Sequence, residues 1–270
     1  MRVCFLQVHR SRISHIPSSQ TWSLSFSDQI HLRNIFNVYE STCIRGRDSH
    51  CPDFPLIKHT NLFAYLNEYS FSHKFLIDYF KCIPEFNQLS LNNRVCLIRN
   101  QFGMVNNINE AIIHPGITTN LVVSMSNVFG VHLANRLLQS IERIRPFACD
   151  HLLLKLVLVV VALSSGNHRN RTDTDMDQIC EDTLSIFTVQ NVYVELLWNY
   201  IRSQSVSEVH AVKIFDQLIQ FLLHLFDVHL LVDGYINNRV HDINQMDPLM
   251  QSMWPKPNEH ENQSNSTDLI

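Results

Sequence analysis

Glycine and proline are scarce in this chain, six and nine among 270 residues. Hairpins and tight turns draw on both, so their shortage, with no long apolar–polar alternation, argues for helices. Charge of one sign is missing too: 21 basic against 25 acidic side chains leaves −4, and no electrostatic footprint marks a nucleic-acid surface. The seven cysteines, at 4, 43, 51, 82, 96, 149 and 180, include no CxxC pair, which excludes a structural zinc module. Their odd number, without a secretory leader, points to a reducing compartment and free thiols. Apolar runs fall short of the ~20 residues a bilayer needs, so no membrane partner is expected. GxSxG, GxGxxG and the P-loop are absent, and fifteen histidines show no HExxH or paired ligand spacing. No catalytic residue, metal ligand or cofactor is assigned, and no enzyme activity is expected.

What is present is an apolar share of 45%, enough at this length for one domain with a full core. Residues 1–24 carry no acid and read as a disordered leader, with a transit peptide as the other reading. Ser25 and Asp28 form a capping-box pattern ahead of a helix over 27–41, striped by Leu32, Ile35, Phe36 and Tyr39. Residues 42–57 read as a loop, and a helix then runs from about 60 to Pro84. The next begins near Ser90 and continues to Ile113. Its Asn106, Asn107, Asn109 and Glu110 must face solvent, pair internally or line a cavity, since a buried amide without a partner costs about 1–3 kcal/mol.

After the His114-Pro115-Gly116 break, residues 117–130 lack a strong period, and Val131–Arg145 reads as a helix stopped by Pro146. Asp150 then caps HLLLKLVLVVVAL, apolar on nearly every side with Lys155 alone inside, as in a helix buried on all faces. The following helix covers 173–203. Its opening DTDMDQ lacks the Gly and Glu of a calcium loop and reads as acids at a helix N-terminus. From Ser207 to about Val240 runs the last long helix, striped by Val212, Phe215, Ile219, Leu222, Phe226 and Leu230. A short helix at 247–254 precedes a polar, disordered tail over 255–270.

The most specific stretch is 75–102. Phe75, Tyr79, Phe80 and Ile83 lie at helical spacing until Pro84 ends the ladder. Phe86 and Leu89 plug inward from the turn, and Leu91, Val95, Ile98 and Phe102 continue on the next helix. Tyr79-Phe80-Lys81, Phe86, Leu89, Asn93-Arg94 and Leu97-Ile98 together resemble the signature of nuclear hormone receptor ligand-binding domains. Asn93 and Arg94 depart from it, the family having Asp or Ser, then Gln or Lys. The resemblance implies an all-α, three-layer antiparallel helical sandwich over 25–254, with a short hairpin within 117–130. It implies a regulator of transcription acting in the nucleus, with the cytoplasm as a second location.

It also implies sites. A coactivator or corepressor helix of LxxLL type would lie in a groove floored by Ile77, Leu91 and Val95. Lys81 and Arg99 would be its cationic rim, capping the peptide's last carbonyls. Leu249, Met250, Met253 and Trp254 match the apolar positions of the family's activation helix, but Ser252 stands where Glu belongs. A hydroxyl lacks the charge and weakens that cap by ~1–2 kcal/mol. A small lipophilic ligand would be walled by Met104, Val105, Ile108, Ile112 and Phe226, with Asn109 as polar anchor. Sixteen phenylalanines make a small or filled pocket the other reading. Homo- or heterodimerisation with another receptor would run through 209–235, with Phe215, Leu218, Leu222 and His229. Complete receptors carry a two-zinc DNA-binding domain; no such spacing occurs here, and direct DNA binding is not expected. The alternative is a ligand-independent dimerisation or sequestration scaffold derived from a receptor.

Overall fold

Each long helix starts where a short polar side chain can take up a free backbone N–H. A computed structural model describes residues 23–45, 55, 57–114, 116–165 and 180–254, and among these every regular element is a helix. Helix α1 (Phe26–Tyr39) opens on a reciprocal Ser25–Asp28 capping box and runs into a π-helical turn, Glu40–Ile44. Helix α2 (Leu62–Lys81) is capped by Asn61. Pro84 starts the short α3 (Pro84–Gln88), and Ser90 caps α4 (Leu91–Ile113). Thr118 caps α5 (Thr119–Ile144), which a 3-10 turn at Arg145–Phe147 ends. Asp150 caps α6 (His151–Ala162), Asp182 caps α7 (Thr183–Gln204) and Ser207 caps α8 (Glu208–Asn237). Two short helices finish the chain, α9 (Val240–Ile243) and α10 (Pro248–Met253).

The core is organised around α6, whose residues from Leu153 to Ala162 are all buried. Helix α4 packs on it most extensively, with α7 and α1 on other sides. Burying each of its Leu and Val side chains contributes roughly 1.5–3 kcal/mol. Lys155 is the exception in an otherwise apolar helix, and it is fully buried. Its ammonium donates to Glu40 Oε1 at 2.5 Å and sits over the rings of Phe36 and Tyr39, 4.1 and 4.8 Å from their centroids. The pair therefore fastens α6 to the end of α1. A second cluster joins α2, α5, α8 and α10 through Tyr65, Phe129, Val228, Ile236 and Met250.

Several expectations are corrected. Residues 119–129 are helical, with no hairpin: Leu121, Met125, Val128 and Phe129 share one face, and the period is interrupted only where Gly130 takes a positive φ of 76°. Helix α7 begins at Thr183 with Asp182 as its cap, and the start expected at 173 lies outside the described residues. On α8 the inward stripe is Ala211, Leu218, Phe221, Leu225 and Val228, while Val212 and Ile219 face out. Thr119–Phe147 and Glu208–Asn237 are long and apolar enough to cross a membrane by length and composition, although each lays one face on the core. Cys149 is disulfide-bonded, whereas Cys43, Cys82, Cys96 and Cys180 are not. The expected leader at 1–22, the DTDMDQ segment and the tail at 255–270 lie outside the described residues.

Removing one member of the Lys155–Glu40 pair is costlier than removing both. Glu40→Ala strands a buried ammonium, for a loss of about 3 kcal/mol in urea unfolding. Lys155→Met combined with Glu40→Gln stays within about 1–2 kcal/mol of the native chain. Equal losses for the two variants would rule out the pair as the fastening.

Candidate functional site

Pro84 sets the geometry of the site. It ends the run of α2 and starts α3, and Ile83, Phe86 and Leu89 anchor the turn in the core at 0%, 2% and 5% exposure. Asn87 on α3 then ties the two walls together. Its amide nitrogen donates to the Lys81 carbonyl, and its Oδ1 accepts from Arg94 Nη1 at 3.0 Å. Between the end of α2, the start of α4 and the side of α10 lies a groove of about 320 Å3. Ile77, Lys81, Leu91, Val95, Arg99, Leu249 and Met253 all line it, with Phe86, Arg94, Ile98 and Ser252.

The floor is open. Leu91 is 66% exposed and Val95 39%, so an apolar trough faces solvent between cations. Lys81 pairs at 3.1 Å with Asp78 one turn back, and both are exposed. Among the described residues, no Asp or Glu lines the groove. Ser252 lines it, but its hydroxyl donates to the Leu249 carbonyl of its own helix at 2.7 Å. Met250 points the other way, fully buried in the second cluster, and belongs to the seat of α10 rather than to the groove.

That seat is largely apolar. Met253 and Trp254 are buried, and the Trp254 indole meets the Phe102 ring edge-on with centroids 5.2 Å apart. Its N–H reaches Asp233 Oδ1 at 3.4 Å. Upstream, the Asp247 backbone N–H donates to Asn67 Oδ1 at 2.8 Å, which fixes the start of α10 against α2.

Beneath α10 lies a small cavity of about 60 Å3, bordered by Tyr69, Phe102, Gly103, Asn106, His229 and Trp254 among others. The residues expected to wall a ligand pocket do not border this cavity. Met104, Val105, Ile108 and Ile112 belong to the main core cluster, and Phe226 packs half-buried against it. Asn109 is satisfied within the protein: it accepts from Tyr39 Oη at 2.6 Å and donates to Ser72 Oγ at 3.0 Å. Helix α4 thus turns these positions to the core and presents Phe102, Gly103 and Asn106 to the cavity. Gly103 is required there, because a Cβ would come within 2.2 Å of the His229 ring.

The expected dimer residues also face inward. Leu218 is buried, Phe215 and Leu222 pack half-buried against the core, and His229 pairs with Asp233 at 3.3 Å, both 4% exposed. The exposed apolar residues of α8 are Val209, Val212, Ile219, Leu223 and Leu231. A larger cleft of about 540 Å3 lies apart from the groove, between the ends of α5 and α7 and the first half of α8. Among the described residues, no three His, Cys, Asp or Glu side chains gather to hold a metal ion.

The class that fold and site define is an all-α protein with a solvent-facing apolar groove between cations. No protein-family model matches the chain, and no curated protein matches it.

His73, behind Phe102, gives the protein an acid sensitivity. It is 2% exposed, its ring lies 4.0 Å from that of Phe102, and neither ring nitrogen has a hydrogen-bond partner among the described residues. Burial pushes its pKa down from 6.5 to about 3. Below the ordinary value the unfolded chain takes up a proton that the folded chain refuses. Stability is therefore lost as pH falls from about 6.5 towards 3, by about 2 kcal/mol from this group at pH 5. His73→Leu should lose about that much less between pH 7 and 5 in urea titrations. An identical loss in both proteins would exclude His73 as the cause.

Proposed function

We propose that the chain is a nuclear receptor-type module of transcription, acting in the nucleus, that binds LxxLL-type coactivator or corepressor helices in the groove of α2, α3, α4 and α10. The finer architecture that goes with this reading is the three-layer antiparallel helical sandwich, with α6 in its middle layer. One observation supports it above the others. Lys81 and Arg99, eighteen positions apart on two helices, line one apolar groove with Leu91 and Val95 exposed in its floor. An amphipathic helix would lay its leucines on Ile77, Leu91 and Val95. Its C-terminal carbonyls carry partial negative charge and would meet the cations. At the other end Ser252 offers no carboxylate to the peptide's first N–H groups, so binding is weaker than a charged cap would give.

The small interior favours a second reading of the same module, ligand-independent dimerisation or sequestration. Pockets for small lipophilic ligands enclose roughly 300–1,000 Å3, against about 60 Å3 in the cavity beneath α10. A partner chain, either a copy or a related receptor, would then meet the exposed face of α8.

Fluorescence anisotropy with a labelled LxxLL peptide tests the groove. Val95→Arg, and Lys81→Ala with Arg99→Ala, should each weaken binding at least tenfold, a change of about 1.4 kcal/mol or more. Ser252→Glu should tighten it by about 5–30-fold, the equivalent of ~1–2 kcal/mol. A peptide that binds neither native nor Ser252→Glu protein ends the proposal. Native mass spectrometry tests the second reading: a dimer without retained lipid is expected, dissociated by Ile219→Asp with Leu223→Asp. A retained lipid in a monomer would refute it.

A further inference from the structure

Cys96 on α4 and Cys180, two residues before the Asp182 cap of α7, bring their sulfur atoms to 2.8 Å. That is inside the ordinary packing separation of about 3.5–4.0 Å. Both are buried, at 3% and 4% exposure, and they come from points 84 residues apart. Contacts beside them hold the approach. Asn93, one turn before Cys96, accepts with Oδ1 from the backbone N–H of Glu181 at 2.9 Å and of Asp182 at 3.5 Å. Asn92 Nδ2 donates to Glu181 Oε1 at 3.1 Å. Asn100, one turn after Cys96 and itself 1% exposed, donates from Nδ2 to Cys96 Sγ at 3.3 Å. Burial disfavours a thiolate, the reactive form, and a donor aimed at the sulfur offsets part of that cost.

We propose that Cys96 and Cys180 are a two-thiol redox site, closed to a disulfide by hydrogen peroxide or an organic hydroperoxide. The Cys96 thiolate attacks a peroxide oxygen, so an S–O bond forms, the O–O bond breaks, and the departing oxide takes a proton to leave as water or an alcohol. The Cys180 thiol then attacks the sulfenic sulfur: the S–S bond forms, the S–O bond breaks, and the hydroxyl leaves with the thiol proton as water. Two electrons pass from the sulfurs to the peroxide. The product covalently ties the second turn of α4, whose outer face carries Val95 and Arg99, to the approach of α7. A cross-link between such distant points restricts the unfolded chain, so oxidation raises stability. The inference stands on the sulfur geometry and does not depend on what occupies the groove.

The full chain is treated with hydrogen peroxide or dithiothreitol, then unfolded, alkylated and mapped by mass spectrometry. Oxidation should remove Cys96 and Cys180 from the alkylated set together, yield a cross-linked peptide two hydrogens lighter than the separate pair, and raise Tm. Cys43 is an internal control: it is buried like the pair, but its sulfur meets the Thr42 hydroxyl and the Phe75 carbonyl rather than a second sulfur, and it should gain no cross-link at the same dose. Cys180→Ser should leave Cys96 trapped as a sulfenic acid that a dimedone probe labels, with no rise in Tm. Continued alkylation of both thiols after peroxide would overturn the proposal. So would their separate conversion to sulfinic or sulfonic acids, or an unlabelled Cys96 in the Cys180→Ser chain.

Discussion

Helix α6 cannot meet water on any side, and that constraint positions the other helices. A stretch reading HLLLKLVLVVVA has no polar face to offer solvent, so it must be enclosed. Helices α4, α7 and α1 supply the enclosure, each laying an apolar stripe along it. Lys155 makes the enclosure specific. An ammonium within that core is tolerable only where a carboxylate and aromatic faces meet it. Glu40, Phe36 and Tyr39 stand together at the end of α1, so α1 has one register on α6 that satisfies the charge.

The groove follows from the same economy of faces. Helix α4 spends its inner side on α6, which leaves Leu91 and Val95 exposed. Had α2 continued past Lys81, its next turns would have run on along its own axis. Pro84 prevents this, since it has no N–H to give and the residue before it is biased away from helix. The buried Ile83, Phe86 and Leu89 then hold the turn, and Asn87 bonds both ends of it. The result is two helix ends held beside each other, with an uncovered apolar trough between them.

Much of this was legible in the sequence, and the failures share a cause. Capping residues and Pro84 act locally, so the limits of α4 and α6 could be read from Ser90, Ile113 and Asp150. Burial of α6 needed only its composition. What could not be read was phase. Helix α8 is apolar around most of its circumference, so spacing alone does not say whether Phe215 and Leu222 or Val212 and Ile219 face out. The same ambiguity holds on α4, where Met104, Ile108 and Ile112 turn to the core and Gly103 and Asn106 to the small cavity. Residues 119–129 hid their helix because Ser124, Ser126 and Asn127 sit among the apolar residues and Gly130 interrupts the pattern. Asn87 gave no signal at all, because its two hydrogen bonds join groups that only the folded turn brings near.

The seat of α10 links the filled interior to the open groove. Trp254 packs on Phe102, whose ring in turn faces His73, and the indole N–H reaches Asp233, the partner of His229. His229 leans over Gly103 so closely that no larger residue could stand there. The small cavity beneath α10 is thus bordered by the chain's own indole, phenyl and imidazole rings. Those rings are also what α10 rests on. A helix held by a bound small molecule changes position when the molecule leaves. One held by Trp254, Met250 and Met253 keeps its place for as long as the domain is folded, and so does the side of the groove it forms.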